Sequence, residues 1–225
     1  MSRLLAIQAE TVIVADDHPL FRTAIKEALE AEQGQTRFLE ASSFESLQEL
    51  VDQHKEVDLV LLDLHMPGVS GFAGLVYLCK RYPSVPVVII SANEDPVVIR
   101  RAIEHGAAGF IPKSSSIETI TSAIASVLTG EIWTPSSTVS NLPGKNVSEM
   151  ELAERMAHLT PQQFKVLMMM SQGLLNKQIA HELTVSEATI KAHVTAIMNK
   201  LEVNNRTQAV LAASQLSVSN PDNAL

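Results

Sequence analysis

Five short aliphatic runs, each followed by a stretch whose apolar residues recur at helical spacing, dominate the front half of the chain. They are TVIVA at 11–15, RFLEA at 37–41, DLVLLD at 58–63, VPVVIIS at 85–91 and GFI at 109–111. A strand buried on both faces reads as continuous Val, Ile and Leu, and a repeated strand–helix–strand pattern folds as a parallel sheet with helices on both sides. The helices carry their own punctuation. Pro19 is expected to open the first, Ser42 or Ser43 to cap the second, Gly71 to begin the third, Pro96 to sit in the first turn of the fourth, and Ser116 to cap the fifth, which Gly130 ends. With 46% apolar residues but only 4% aromatics, the composition fits this α/β reading better than a β sandwich.

A length of 225 residues suits two compact domains. From Thr134 to Met150 the sequence TPSSTVSNLPGKNVSEM is rich in Ser, Pro, Asn and Gly and has no sustained hydrophobic period. A linker is therefore expected over 133–157, between a first domain at 1–132 and a second at 158–218. The second reads as four short helices: Pro161 to Gln172, Asn176 to Leu183, Glu187 to Leu201 and Arg206 to Ala213. Gly173 closes the first of these, Ser186 caps the third, and SVSNPDNAL at the end is expected to fray.

The net charge of −8 is unevenly spread. Residues 1–158 hold 12 basic and 21 acidic side chains, whereas 159–225 hold 5 and 4. The acidic excess belongs to the front domain, and the weakly basic end module can hold nucleic acid only through a local cluster, with marked salt dependence. Cys79, the single cysteine, rules out an intrachain disulfide and a cysteine-based metal site and reads as core packing. No window reaches about 18 uninterrupted apolar residues, so a soluble cytoplasmic protein without a membrane partner is expected.

In an open parallel sheet, ligands bind beyond the carboxyl ends of the strands. Asp16 and Asp17 follow the first strand and Asp63 ends the third. Carboxylates gathered there repel one another and persist as anions when a cation joins them, and Mg²⁺ with its preference for oxygen ligands suits the task. Ser91 ends the fourth strand and Lys113 follows the fifth, bringing a hydroxyl and an ammonium to the same rim. This set suits capture of a phosphoryl group on Asp63. His18 reads as a turn residue and His105 as satisfying a helix C-terminus.

The stretches VIVADDHPLFR, DLVLLDLHMPGVSG, VVIISA and GAAGFIPK make residues 11–130 resemble the receiver domain of bacterial response regulators of the NarL/FixJ type, a flavodoxin-like, doubly wound fold. The resemblance implies that Asp63 accepts phosphate from a phosphohistidine on a sensor histidine kinase. It also implies that Asp16, Asp17, Asp63 and the backbone carbonyl of His65 hold Mg²⁺, and that Ser91 and Lys113 contact the phosphoryl oxygens. Phe110 becomes the aromatic that repacks when Ser91 moves; it stands where many receivers have Tyr, so only the packing part of that switch is implied. His65 and Asn93 occupy positions that tune phosphoryl lifetime in the family.

In NKQIAHELTVSEATIKAHVT the apolar residues can pack two helices across a turn, leaving Lys177, Thr189, Lys191, His193, Thr195 and Asn199 on other faces, where short polar and basic side chains suit a major groove. The stretch from Leu159 to Val210 resembles the LuxR-type helix-turn-helix. That likeness makes Glu187 to Leu201 the recognition helix, with Lys191, Ala192 and Thr195 facing double-stranded DNA, Asn176 and Lys177 near the backbone, and Ser186, Thr189 and Asn199 completing the surface. It makes Arg206 to Ala213 a dimer contact. Gln163 replaces a usual Glu, so a scaffold ion pair is not expected there, and Thr195 replaces a frequent basic residue. The methionines at 168–170 read as core and helix surface.

The reading is thus a DNA-binding transcriptional regulator, not an enzyme, pairing as a homodimer when phosphorylated. The alternative is a Mg²⁺-dependent phosphohydrolase with Asp63 as nucleophile, which ordinarily places a second carboxylate where this chain has His65.

Overall fold

The computed structural model describes residues 9, 11–33, 36–54, 56–135 and 147–218. Part of the expected linker, 136–146, and most of the expected frayed tail, 219–225, lie outside them. Five parallel strands, β1 (Thr11–Ala15), β2 (Arg37–Ala41), β3 (Leu59–Asp63), β6 (Val87–Ser91) and β7 (Gly109–Pro112), form one sheet in the order β2-β1-β3-β6-β7. Two-residue strands β4 (His65–Met66) and β5 (Val69–Ser70) pair as an antiparallel hairpin just after β3, a feature the sequence reading did not anticipate.

Side-chain alternation divides the sheet between two cores. Val12, Val14, Leu59, Leu61, Val88, Ile90 and Ile111 face helices α1 (Pro19–Gln33) and α5 (Ile117–Leu128), where Ile25, Leu29, Ile120 and Ile124 are buried. Ile13, Ala15, Val60, Leu62, Ile89 and Phe110 face α2 (Phe44–Gln53), α3 (Ala73–Arg81) and α4 (Pro96–Glu104). The punctuation is largely as expected: Ser43 caps α2 in a capping box, Asp95 caps α4 ahead of Pro96, and Ser116 caps α5. Gly71 does not begin α3, which starts at Ala73. Its φ of +62° lets the chain turn out of the hairpin, which a β-carbon would hinder.

The second core continues into the C-terminal helices, so the two domains share one apolar cluster. Helix α6 (Val147–Ala157) lies inside the stretch expected as linker. Its Leu152, Ala153 and Met156 are buried, and it packs on α3, which offsets the weak helical signal of VSEM at its start. Helices α7 (Pro161–Ser171), α8 (Asn176–Glu182), α9 (Glu187–Leu201) and α10 (Arg206–Gln215) follow. The ring of Phe164 on α7 stands 5.4 Å from Phe44 and 4.6 Å from Tyr77, joining the domains through an aromatic trio. Met168 and Met170 are buried, as expected of packing residues.

Candidate functional site

The acidic residues meet at the carboxyl edge of the sheet, in the crevice where strand order reverses between β1 and β3. Ala15 pairs with Leu62, which sets Asp16 beside Asp63, and both aspartates are buried. Ser91 ends β6 one residue beyond Ile90, the partner of Asp63. The Lys113 main-chain N–H donates to the Ser91 carbonyl at 2.8 Å.

Lys113 Nζ lies 2.7 Å from Asp16 Oδ2 and 2.9 Å from Asp63 Oδ2, with the Phe21 ring 5.0 Å away. Burial pushes the Asp63 carboxyl above its ordinary range; Lys113 opposes this and the Asp16 charge adds to it. Burial also works against the Lys113 ammonium, but its two carboxylate partners outweigh it and hold its pKa above the usual lysine value. The rim therefore balances two buried anions against one cation.

A hard divalent ion fits this arrangement. Among the described residues, buried Asp16 Oδ2 has no polar partner beyond the Lys113 ammonium 2.7 Å away, and ligand atoms of Asp16, Asp17, His18 and Asp63 all lie within 4.8 Å of one another. His18, read from sequence as a turn residue, belongs to the cluster: its Nδ1 stands 2.7 Å from Asp17 Oδ1 and 3.1 Å from Asp16 Oδ1. The signal was its place in DDHP, directly beside the carboxylates. The His65 main-chain N–H donates to Asp63 Oδ1 at 3.3 Å. Phe110 is fully buried on the face that continues into the helical domain. Its N–H donates to the Trp133 carbonyl, so the chain leaving α5 is stitched to β7.

In the helical domain, α9 presents Thr189, Lys191, Ala192, Thr195 and Asn199 to solvent, while Ile190, Val194, Ile197 and Leu201 are buried. Ser186 caps this helix, and its hydroxyl meets that of Thr189 at 2.8 Å. Lys177 is exposed, whereas Asn176 is tied to the scaffold, its Oδ1 accepting from Arg206. Gln163 takes the place of the missing ion pair with a neutral acceptor: Lys200 Nζ donates to its Oε1 at 2.7 Å. His105 does more than finish α4, because its imidazole reaches Glu149 of α6 at 2.8 Å, alongside Arg101. No sequence signal marked Glu149, which sits in linker-like composition.

The family description "response regulator receiver domain" matches residues 12–125, and "bacterial regulatory proteins, luxR family" matches 157–213. A glycerol metabolism activator from Pseudomonas putida is 42% identical over 210 residues, covering 91% of this chain and 95% of that protein. The chain belongs to the response regulators. It is of the NarL/FixJ type: the nitrate/nitrite response regulator NarL of Escherichia coli K12 is 31% identical to the regulator over 206 residues, covering 91% of this chain and 95% of NarL. RcsB of Salmonella enterica serovar Typhimurium, solved on the promoter P1flhDC with the phosphomimetic BeF3−, aligns over 93% of the regulator and all of RcsB at a TM-score of 0.55; at 23% identity this likeness shows the fold alone. The regulator therefore pairs a receiver with a DNA-binding output domain, and these likenesses give no support to the phosphohydrolase alternative. Among its described residues no helix is long and apolar enough to cross a membrane.

Proposed function

We propose that the regulator is a cytoplasmic transcription factor whose Asp63 takes a phosphoryl group from the phosphohistidine of a sensor histidine kinase. The observation carrying this reading is the buried Asp63 carboxylate at the switch point, with Lys113 2.9 Å from its Oδ2 and Asp16 beside it. Asp16, Asp17, Asp63 and the His65 carbonyl would hold Mg²⁺, which would supply charge neutralisation to the phosphoryl oxygens. Asp63 attacks phosphorus as the donor imidazole leaves with the bonding pair. Lys113 opposes the effect of burial on the nucleophile and then pairs with a phosphoryl oxygen, and Ser91 donates to another. The acyl phosphate is a signal held on the protein, not a product to be turned over.

Ser91 and Phe110 form the switch, and the shared apolar cluster behind Phe110 gives repacking a route to the output domain. The receiver spans 1–132 and the DNA-binding domain 158–218, joined through 133–157. Lys191, Ala192, Thr195 and Asn199 read the major groove, Lys177, Ser186 and Thr189 contact the backbone, and Asn176 acts by placing the start of α8. Two phosphorylated copies pair through α10, setting two recognition helices on one duplex. Incubation with Mg²⁺ and acetyl phosphate tests the acceptor: the wild type gains one phosphoryl group that hydroxylamine removes, and Asp63→Asn gains none. An Asp63→Asn protein labelled like the wild type contradicts the reading.

A further inference from the structure

The last carbonyls of a helix have no partner within it. At the end of α10 the Ser214 carbonyl accepts from Ser217, but those of Gln215 and Leu216, and of Val218 just past the helix, are satisfied by the receiver. Arg101 donates to the Gln215 carbonyl at 2.7 Å, the Phe72 N–H to the Leu216 carbonyl at 2.7 Å, and His65 Nε2 to the Val218 carbonyl at 3.1 Å. The fit is close: a β-carbon on Gly71 would sit 2.2 Å from the Leu216 oxygen. The receiver therefore supplies the C-cap of the output domain's final helix. Docking leaves the reading face of α9 exposed and acts on α10 instead.

Two of the three donors belong to the segment that follows Asp63. Leu64 and Gly71 are joined by a 2.9 Å main-chain hydrogen bond, and His65 and Met66 pair with Ser70 and Val69, so 64–71 is tied into one hairpin leading to Phe72. Residue 65 is tied at both ends, its N–H to Asp63 Oδ1 and its imidazole to Val218. Conversion of the Asp63 carboxylate to an acyl phosphate weakens Oδ1 as an acceptor for the residue 65 N–H, and loss of that bond would loosen the segment that carries the His65 imidazole and Phe72.

We propose that capping of α10 by His65, Phe72 and Arg101 and filling of the Asp63 site oppose each other, making the end of the last helix the element that reads the receiver's state. This rests on Asp63 being the phosphoacceptor. Because linkage is reciprocal, docking in return holds the receiver in its low-affinity form.

The test uses the full chain as wild type, Gly71→Asn, Arg101→Ala and Asp63→Asn. Asparagine tolerates a φ of +62° better than other side chains, so it disturbs the cap more than the turn. Small-angle scattering reads domain separation, and the emission of Trp133, the single tryptophan, which lies against β7, reads beryllofluoride binding in Mg²⁺. Both cap variants are expected to be extended without ligand and to half-saturate at a beryllofluoride concentration lower by about 5-fold or more. The wild type extends only on saturation. Extended cap variants with wild-type half-saturation, cap variants that stay compact, or a saturated wild type that stays compact would each overturn the proposal. A wild type as unresponsive as Asp63→Asn would instead sink the phosphoacceptor reading beneath it.

Discussion

The Lys113 ammonium stands 2.9 Å from Asp63 Oδ2, and the two side chains are 16% and 4% exposed. Breaking a largely buried pair leaves an uncompensated charge, here two, since Asp16 shares the same lysine. Lys113→Ala is therefore expected to melt at lower temperature than the wild type in the absence of divalent ions and to regain part of the loss in Mg²⁺. Its rate of labelling by acetyl phosphate is expected to fall by about 100-fold, as when one oxyanion donor is removed. Calorimetry with and without Mg²⁺, followed by labelling kinetics, checks both.

Glu149 bridges the domains through Arg101 and His105. Its partial burial favours the neutral acid, yet the His105 and Arg101 contacts outweigh this and hold its pKa below the ordinary 4.5. A carboxyl with a depressed pKa in the docked state stabilises docking above its free value and loses that contribution as pH falls through the docked value. Scattering is thus expected to show the domains separating as pH drops below about 4.5. Glu149→Gln should lose the largest part of this dependence.

Phe164 is 1% exposed and fills the space between Phe44 and Tyr77. Phe164→Ala removes a buried aromatic from a core common to both domains and is expected to cost about 3–5 kcal/mol. Denaturant melts followed by near-ultraviolet circular dichroism would detect it as a lower midpoint in a transition that involves both domains.

The sheet, its helices and the acidic rim were legible because they rest on local signals: continuous aliphatic runs, capping residues such as Ser43 and Ser116, and aspartates at strand ends. The pair of helices around the Ser186 cap was legible from its apolar spacing, and its reading as a helix-turn-helix came from the resemblance to the LuxR type. Relationships between distant segments were not. His105 satisfies a helix end in any sequence reading, and only the docked α6 turns it into a partner of Glu149. Gly71 was expected to begin a helix because a glycine before an apolar run suggests one, yet its role is set by the Leu216 carbonyl pressed against it from the other domain. The His65 imidazole and the Val218 carbonyl are 153 residues apart in the chain, and no periodicity joins them.

Lys177 is exposed at the start of α8, near the phosphate backbone in the proposed complex. Lys177→Ala is expected to weaken binding uniformly across DNA sequences and to reduce the slope of log affinity against log salt by about 0.9. Thr195→Ala, in contrast, should alter preference among sites with little change in that slope. Salt titrations on two unrelated duplexes separate the behaviours.

Enrichment of genomic DNA fragments by wild type and Asp63→Asn, each with and without Mg²⁺ and a small phosphodonor, tests the central claim most directly. The account predicts that the wild type, only when given the donor, enriches fragments sharing a site with two-fold symmetry. Equal enrichment in all four samples would contradict it, because DNA binding would then be independent of Asp63.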